Sequence, residues 1–388
     1  MNLIWNFAGP TVPSGYGVVS KEICSRIQAD GHTIKIACRL NIGKPLNIEG
    51  LTVIDGRSSF MLDVITKDQG VDYIFCSQDP FCGYPSFLDK WVGLAILDVE
   101  NAYPEYIDSI SKAKFTWSVS RHNQEEFKKN GINSWYAPWG VDTKTFKPDE
   151  AARKVFRDSI GVNDNVFVLG VVATSLHSDR KNFLGLLKAF QIFNRTHKDA
   201  ILYLHSNIIG GGGTKDFIRS STGPIMHLGR FACDLGLEGK VTSCDQKRYW
   251  LWDITPEEMV ATYNGLDAFI LPTRGESFCI PAAEAQACGT PVISTDTCCM
   301  PEVVKDGWLI DLDEDEHMYA DCGAWAANPR YSKIAAYMEK AYQAWKTGES
   351  KQMGLRSSKL IKKEFDWDVV YEKHWRPFLK MLEENIKK

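Results

Sequence analysis

The residues best suited to chemistry lie in the segment 271–293, whose pattern predicts a strand, a tight loop, a short helix, a turn and a strand. Pro281 stands where a first helical residue is expected, and Gly289 stands where the residue after a helix end is expected. Glu276 then lies in the loop and Glu284 one turn inside the helix, so both can point into one crevice. A carboxylate accepts two hydroxyl hydrogen bonds at once, so this pair suits a ligand with two rows of hydroxyls. Without further context, Glu276 could equally cap the helix and Glu284 could face solvent.

Backbone amides at the start of this helix suit an anion, because the first turn of a helix leaves its N–H groups without partners. The amides belong to four consecutive residues: Ser277, Phe278, Cys279 and Ile280. They suit a diphosphate or the ring oxygens of a sugar.

Two adjacent cations, Arg180 and Lys181, lie between a predicted strand and a predicted helix. Cleavage of a bond between a sugar and a diphosphate leaves negative charge on the departing phosphate, and fixed cations stabilise that charge as it develops. Arg can bind phosphate through two N–H groups, and Lys adds a point charge. These cations would take the place of a metal ion, so no metal is expected. The alternative is that the pair is an ordinary solvated surface.

The segment 271–293 resembles the E-x7-E motif of the retaining GT-B glycosyltransferases, especially carbohydrate-active family 4. The matching residues are Gly275-Glu276-Ser277-Phe278, Pro281, Glu284-Ala285 and Ala287-Cys288-Gly289-Thr290-Pro291-Val292-Ile293. Three further segments agree with the resemblance: 139–148, 177–182 and 301–307. In the first of these, Trp139 replaces the asparagine that is usual in the family. The resemblance covers residues 135–310 well and the first 130 residues only weakly.

The resemblance implies a role for each candidate group. Glu276 would contact the transferred sugar and Glu284 the ribose of a nucleoside-diphosphate sugar, while Arg180 and Lys181 would contact the phosphates. The catalytic candidates are therefore Glu276, Arg180 and Lys181, and transfer is expected to retain the anomeric configuration. Cys279 departs from the family, which usually has glycine there, and it narrows the space beside the donor.

The elements that must position these groups alternate between buried strands and helices along most of the chain. The predicted strands are 3–7, 33–38, 71–76, 94–99 and 115–119 in the first part, and 166–172, 200–205, 240–243, 268–271 and 291–294 in the second. Such alternation predicts parallel sheets covered by helices on both faces. Together with the resemblance, it predicts an α/β fold of the GT-B type, with two Rossmann-like, doubly wound parallel-sheet domains facing a cleft.

The domain boundary is expected at a hinge near residues 139–150. An acceptor domain then covers residues 1–148, and a donor domain covers residues 149–369. A C-terminal amphipathic helix at about 370–388 is expected to pack back on the first domain. Its predicted buried residues are Val370, Tyr371, Trp375, Phe378 and Leu382. The glycine run 210–213 predicts a loop.

In the first domain, Gly15 and Gly17 open the first predicted helix and could let the backbone approach the donor diphosphate closely. An ordinary turn between a strand and a helix explains them as well. The resemblance also implies a histidine that assists catalysis, but none stands at a matching position, and His122 is predicted at a helix start. Three acidic residues follow first-domain strands and are candidates for the acceptor side: Asp79, Asp98 and Glu100.

Length and composition indicate a two-domain globular protein, with 388 residues of which 44% are hydrophobic and 24% charged. The net charge of −4 gives no general attraction to a polyanion. The 11 cysteines are scattered without metal-ligand spacing, and the sequence shows no signal peptide or membrane-spanning stretch. A cytoplasmic protein is therefore expected. Asp311-Leu312-Asp313 is similar to a metal-binding D-x-D, but it lies in an acidic loop after the donor segment and is interpreted as surface.

The predicted function is transfer of a sugar from a nucleoside-diphosphate sugar to an acceptor hydroxyl, with retention and without a metal or other cofactor. A UDP-sugar is the default donor. The acceptor stays open among a glycan, a lipid-linked sugar, a small metabolite, a protein and a modified nucleic-acid base. The alternatives are a nucleotide-sugar epimerase of the same fold and a non-catalytic nucleotide-sugar-binding module. An NAD-dependent oxidoreductase is disfavoured, because the Gly15-x-Gly17 loop lacks the rest of the dinucleotide fingerprint.

Overall fold

The computed structural model describes residues 1–12, 14–38, 44–56, 70–76, 88–175, 179–209 and 226–387. The chain divides into two compact units. The first consists of residues 1–97, 101–140 and 367–388, and the second of residues 98–100 and 141–366. The division at Gly140 lies before the boundary predicted at residue 148.

The first unit is built on a sheet whose described strands follow the order β3-β4-β2-β1-β5-β6-β7-β8. The strands are β1 (Asn2–Asn6), β2 (Thr33–Cys38), β3 (Leu46–Ile48), β4 (Leu51–Asp55), β5 (Tyr73–Cys76), β6 (Trp91–Ala95), β7 (Phe115–Ser118) and β8 (Trp135–Tyr136). The helices are α1 (Gly15–Ala29), α2 (Pro104–Ile110) and α3 (Arg121–Lys129). All strand pairs are parallel except β3–β4, which is antiparallel. Parallel pairing of strands joined by helices is the predicted Rossmann-like arrangement.

The predicted strand 94–99 is wrong in its bounds, since β6 ends at Ala95. The reason is a side-chain hydroxyl that forms hydrogen bonds with the backbone groups where the strand ends. The Tyr106 hydroxyl donates to the Leu94 carbonyl (2.8 Å) and accepts from the Ile96 amide (3.1 Å). The apolar run therefore continues beyond the sheet as a loop.

The second unit contains a parallel sheet of the order β11-β10-β9-β12-β13-β14 and a separate antiparallel hairpin, β15–β16. The strands are β9 (Phe167–Val172), β10 (Ala200–His205), β11 (Val241–Ser243), β12 (Ala268–Leu271), β13 (Val292–Thr295), β14 (Trp308–Ile310), β15 (His317–Ala320) and β16 (Ala324–Ala327). The helices are α4 (Glu150–Ser159), α5 (Phe183–Phe193), α6 (Leu228–Asp234), α7 (Gln246–Leu251), α8 (Pro256–Gly265), α9 (Ile280–Ala287), α10 (Met300–Val303), α11 (Tyr331–Thr347) and α12 (Glu349–Phe365). Counted from β9, the sheet has the 3-2-1-4-5-6 order of dinucleotide-binding folds.

The last part of the chain belongs to the first unit. It forms α13 (Trp367–Val370), a π-helical turn (Tyr371–Trp375) and α14 (Arg376–Ile386). All five residues predicted to be buried there are at most 2% exposed. The Trp375 ring lies 4.7 Å from the Trp117 ring on β7, edge to face. This segment therefore completes the core of the first unit.

Within the described residues, no helix is both long enough and apolar enough to cross a membrane.

A buried ion pair fixes the start of β12 against β9 and α4. The Asp267 carboxylate accepts from the Val168 amide (2.8 Å), from Arg157 Nη1 (3.1 Å) and from Arg153 Nη2 (2.8 Å). The side chains of Asp267 and Arg157 are each only 3% exposed. Because a buried charge is costly unless it is paired, this pair sets the register of the two central strands.

Asp267→Ala leaves Arg157 without its buried carboxylate partner, so it is expected to lower the free energy of unfolding by about 3–5 kcal/mol. Urea denaturation followed by circular dichroism measures the change. The matched control is Asp158→Ala, which removes the partner of Lys154 from an ion pair whose side chains are 75% and 63% exposed. This control is expected to leave the free energy of unfolding nearly unchanged, because solvent screens an exposed ion pair. Equal losses in the two variants would contradict the structural role of Asp267.

Candidate functional site

The strand order of the second sheet reverses between β9 and β12, which pair side by side. The loops that follow such neighbouring strands diverge and leave a crevice at their carboxyl ends. Arg180 and Lys181 lie in the loop after β9, and Glu276 lies in the loop after β12. The three catalytic candidates are therefore brought together at the edge where an open parallel sheet binds ligands.

The two loops are tied to each other through their backbones. The Arg274 amide donates to the Arg180 carbonyl (2.8 Å), and the Thr273 hydroxyl donates to the same carbonyl (3.2 Å). Arg274 Nη1 also donates to the Asp179 carbonyl (2.7 Å) and lies 3.3 Å from the Asp179 carboxylate. These bonds hold the cations at a fixed distance from Glu276.

Glu276 is a buried carboxylate, 4% exposed, that sits between both cations. It forms a close ion pair with the Lys181 ammonium, and its second oxygen lies 3.2 Å from Arg180 Nη1. The Thr273 hydroxyl oxygen also lies 3.2 Å from this carboxylate. Burial raises the pKa of Glu276, but the charges of Lys181 and Arg180 outweigh it and hold that pKa below its ordinary value. The carboxylate is therefore ionised at neutral pH.

Arg180 has a second acidic partner, Asp98, which groups with the second unit. Arg180 Nη2 lies 3.2 Å from Asp98 Oδ2, while Asp98 Oδ1 accepts from the Ser277 hydroxyl (2.6 Å). Burial lowers the pKa of Arg180, but the charges of Asp98 and Glu276 raise it above its ordinary value. Gly275 permits this arrangement, because a Cβ there would lie 2.1 Å from the Asp98 carbonyl oxygen. Asp98, which is predicted to contact the acceptor, thus contacts two residues that are predicted to contact the donor.

Glu284 lies on α9, one turn inside the helix as predicted, and is partly buried. Its Oε2 accepts a 2.7 Å hydrogen bond from the hydroxyl of Tyr263, a fully buried residue of α8. Burial raises the pKa of Glu284 to about 7, and the bond from Tyr263 offsets part of this rise. Glu284 therefore changes between its neutral and its ionised form within the physiological pH range.

The amino terminus of α9 has no side-chain cap. Cys279 is its N-cap residue and has φ +69°, in the left-handed region that favours glycine. The glycine that the family resemblance implies at this position would adopt this backbone conformation without strain. Ser277, Phe278, Cys279 and Ile280 are all buried around this turn. Burial raises the pKa of the Cys279 thiol to about 12, so the thiol is neutral.

The residues predicted to be functional in the first unit lie partly in helices and partly outside the described residues. Gly17 lies in the first turn of α1, where a Cβ would lie 2.0 Å from the Val12 carbonyl oxygen, so packing of the preceding loop requires this glycine. Gly15 is the first residue of α1, which Ser14 caps by accepting from the Gly17 amide. His122 is the second residue of α3, so the predicted helix start is confirmed. Asp79, residues 177 and 178, and the glycine run 210–213 lie outside the described residues.

Glu100, the third acceptor-side candidate, belongs with Asp98 to the second unit. One oxygen accepts from the Thr297 hydroxyl (3.1 Å), and the other lies 2.8 Å from His317 Nδ1. Sequence reasoning missed both Tyr263 and His317. The apolar neighbours of Tyr263 are a sequence signal that it is buried in α8. No sequence signal pairs Tyr263 with Glu284 or His317 with Glu100.

The acidic loop that contains Asp311 and Asp313 is neutralised by basic residues. Lys333 Nζ lies 3.3 Å from Asp311 and 3.1 Å from Asp313, and Arg330 Nη1 lies 3.2 Å from Asp313. The Tyr337 hydroxyl also donates to Asp311 (2.6 Å). Across the part of the chain that the structure describes, no cluster of three or more His, Cys, Asp or Glu could hold a metal ion.

Comparison with known proteins gives a family match over the donor segment. The model of the family described as glycosyl transferases group 1 matches residues 243–354. A GDP-mannose-dependent alpha-(1-6)-phosphatidylinositol monomannoside mannosyltransferase of Mycolicibacterium smegmatis is 30% identical over 220 residues, which are 54% of this chain and 50% of that protein. A D-inositol 3-phosphate glycosyltransferase of Paenarthrobacter aurescens is 30% identical over 172 residues, which are 44% of this chain and 37% of that protein. The chain thus spans half or less of the length of these curated relatives.

Solved structures match over nearly the entire chain at low identity. Sucrose-phosphate synthase from Thermosynechococcus elongatus has a TM-score of 0.74 with 14% identity, covering 99% of this chain and 100% of that one. A glycosyltransferase from Rickettsia africae has a TM-score of 0.71 with 16% identity, covering 100% and 99%. These structures establish the fold. Residues 243–354, which carry Glu276 and Glu284, therefore match the model of the glycosyl transferases group 1 family, and the chain has the GT-B fold of these solved structures.

Proposed function

We propose that this chain is a glycosyltransferase that moves a sugar from a nucleoside-diphosphate sugar to an acceptor hydroxyl. The observation that carries the proposal is the buried cluster of Glu276, Arg180 and Lys181 in the crevice at the strand reversal. Beside it lies the uncapped amino terminus of α9, whose amides favour an anion. Two cations and these amides suit a diphosphate, and Glu276 and Glu284 suit the hydroxyls of the sugar and the ribose.

In the proposed reaction, the bond between the anomeric carbon and the β-phosphate oxygen breaks, and its electron pair stays on the phosphate. The acceptor oxygen bonds to the anomeric carbon on the same face, and its proton passes to the departing phosphate. Arg180 and Lys181 stabilise the charge that develops there, without a metal ion. Transfer then retains the anomeric configuration.

The names of the relatives narrow the donors and acceptors to test. One relative is named for GDP-mannose and a phosphatidylinositol mannoside, and another for D-inositol 3-phosphate. A GDP-sugar therefore joins the UDP-sugar as a leading donor, and a hydroxyl of a cyclic polyol or a glycan as a leading acceptor class.

The first experiment measures binding and turnover across a panel of UDP-, GDP- and ADP-sugars. One donor is expected to bind best. Arg180→Ala and Glu284→Ala are each expected to weaken its binding by about tenfold or more, because each removes a charged hydrogen-bonding group. The matched control is Lys188→Ala, which removes an exposed cation from the helix that follows Arg180. It is expected to leave binding unchanged.

Each result of this panel has a definite meaning. Absence of binding by every nucleotide sugar would overturn the proposal and favour a non-catalytic module. Isomerisation of the donor without an acceptor would favour an epimerase. In a productive reaction, NMR of the first-formed product reports the anomeric configuration, and an inverted centre would exclude same-face transfer. Loss of turnover on treatment with EDTA would contradict metal independence.

A second prediction concerns the competition between Glu276 and the phosphates for the same cations. In Glu276→Gln, Lys181 and Arg180 lose their ionised partner. The affinity for the free nucleoside diphosphate is therefore expected to rise by about tenfold, while kcat for transfer falls because a sugar contact is lost. Calorimetric titration and initial rates measure the two effects.

The matched control is Asp313→Asn, which removes an ion-paired carboxylate from the acidic loop and is expected to change neither quantity. A parallel fall of diphosphate affinity and kcat in Glu276→Gln would contradict competition for the cations.

The third prediction is a dependence of donor affinity on pH. The pKa of Glu284 is raised to about 7, so at pH 6 this side chain is mostly protonated. Only the ionised form accepts both ribose hydroxyls, so affinity for the nucleotide sugar is expected to rise by about tenfold from pH 6 to pH 8. The intact nucleotide sugar has no group of its own that titrates in this range. Glu284→Gln is expected to bind weakly with a flat profile, and a retained slope in this variant would assign the dependence to another group.

A further inference from the structure

The hairpin β15–β16 presents one face that combines a histidine with two exposed aromatic rings. Tyr319 lies opposite Trp325 in the antiparallel register, and His317 lies opposite Ala327. Because side chains alternate along a strand, His317, Tyr319 and Trp325 share one face, which we call the hairpin face. Tyr319 is 63% exposed and Trp325 is 51% exposed, whereas Ala324 and Ala326 of the opposite face are buried.

The two rings of the hairpin face are held in a fixed arrangement. They lie 5.4 Å apart at an angle of 76°, and the Tyr319 hydroxyl donates to the Gly323 carbonyl (2.9 Å). Rigid aromatic rings at a surface supply contact area at a small entropic cost. Such a surface suits a ligand that is partly apolar and partly hydroxylated, because the rings and the histidine meet different parts of it.

The hairpin face is attached to the same short segment that contacts the cations. The Glu100 amide donates to the Trp325 carbonyl (2.8 Å), and the Glu100 carboxylate lies 2.8 Å from His317 Nδ1. Two residues earlier, Asp98 lies 3.2 Å from Arg180 Nη2. Since two residues span at most about 7 Å, His317 lies close to the crevice.

A second connection ties the end of β16 to the loop of Glu276. The Ala327 amide donates to the Arg274 carbonyl (2.9 Å), and Arg274 Nε lies 3.4 Å from Asn328 Oδ1. The hairpin face is thus fixed to the donor crevice from both strands.

We propose that the hairpin face is a subsite for a pyranose ring of the acceptor. This inference rests on the proposed function, because an acceptor hydroxyl must approach the sugar held near Glu276 and Arg180. A pyranose has an apolar face of C–H bonds, which packs against Trp325 and Tyr319, and a rim of hydroxyls. His317 Nδ1 is held 2.8 Å from the Glu100 carboxylate, so Nε2 is the ring atom left to hydrogen-bond a hydroxyl of the pyranose. Glu100 acts as a positioning residue that orients this histidine.

The test is saturation-transfer NMR on the full chain, with methyl α-D-mannopyranoside and methyl α-D-glucopyranoside as probes. The ring C–H protons are expected to receive saturation from the protein. Trp325→Ala is expected to reduce this signal by about three- to tenfold, and Trp325→Phe to restore most of it. The matched control is Trp252→Ala, which removes a tryptophan that is 64% exposed on another part of the second unit. An unchanged signal in Trp325→Ala, or an equal loss in Trp252→Ala, would overturn the proposal.

Donor affinity, measured on the same variants, separates this inference from the proposed function. Unchanged nucleotide-sugar affinity in Trp325→Ala, together with the lost pyranose signal, supports an acceptor subsite. A matching loss of donor affinity would overturn it, because the rings would then serve the donor. Failure of all nucleotide sugars to bind the wild-type chain would reject the proposed function, even where the pyranose signal persists.

A lipid surface is the competing occupant of exposed aromatic rings. Sedimentation with phosphatidylcholine–phosphatidylglycerol vesicles tests it. Release of the protein from vesicles by Trp325→Ala, with an unchanged pyranose signal, would overturn the proposal in favour of the lipid surface.

Discussion

The burial of one carboxylate, Glu276, constrains the second unit more than any other interaction at its crevice. A carboxylate that is 4% exposed needs charged partners, because removal of its hydration is costly. Lys181 and Arg180 supply the charge, and the backbone bonds between the two loops fix the distance. Gly275 follows from the same constraint, since only a residue without a side chain lets the Asp98 carbonyl come this close. The loops after β9 and β12 are therefore held as one body.

This constraint also shapes how the site can receive a ligand. The cations that suit a diphosphate are already neutralised, by Glu276 on one side and Asp98 on the other. Under the proposed function, an incoming diphosphate would therefore exchange partners with carboxylates instead of filling a site of unpaired positive charge. The displaced Glu276 carboxylate would then become available to the hydroxyls of the sugar attached to that diphosphate. The proposed function thus links recognition of the phosphate and recognition of the sugar through the Glu276 side chain.

The part of the site that sequence predicts is the part encoded locally. Pro281 and Gly289 bound α9 and thereby place Glu284 one turn inside the helix, which needs no tertiary contact. The partners of these residues depend on long-range packing: Tyr263 lies 21 residues from Glu284, Ser277 lies 179 residues from Asp98, and His317 lies 217 residues from Glu100. The short, partly exposed strand β3 also escaped prediction, because three residues carry too little periodicity.

Cys279 replaces the glycine that the family resemblance implies, and the structure shows a backbone consequence that the sequence does not. The sequence alone indicates that the thiol, in place of the glycine implied by the family resemblance, narrows the space beside a donor. The positive φ of Cys279 adds a cost to the backbone, since a residue with a side chain in the left-handed region costs about 1–2 kcal/mol. That conformation turns the chain from the Glu276 loop into α9, whose start has no side-chain cap. The fold tolerates the strained residue because the buried loop around it is already fixed by the ion pairs of Glu276.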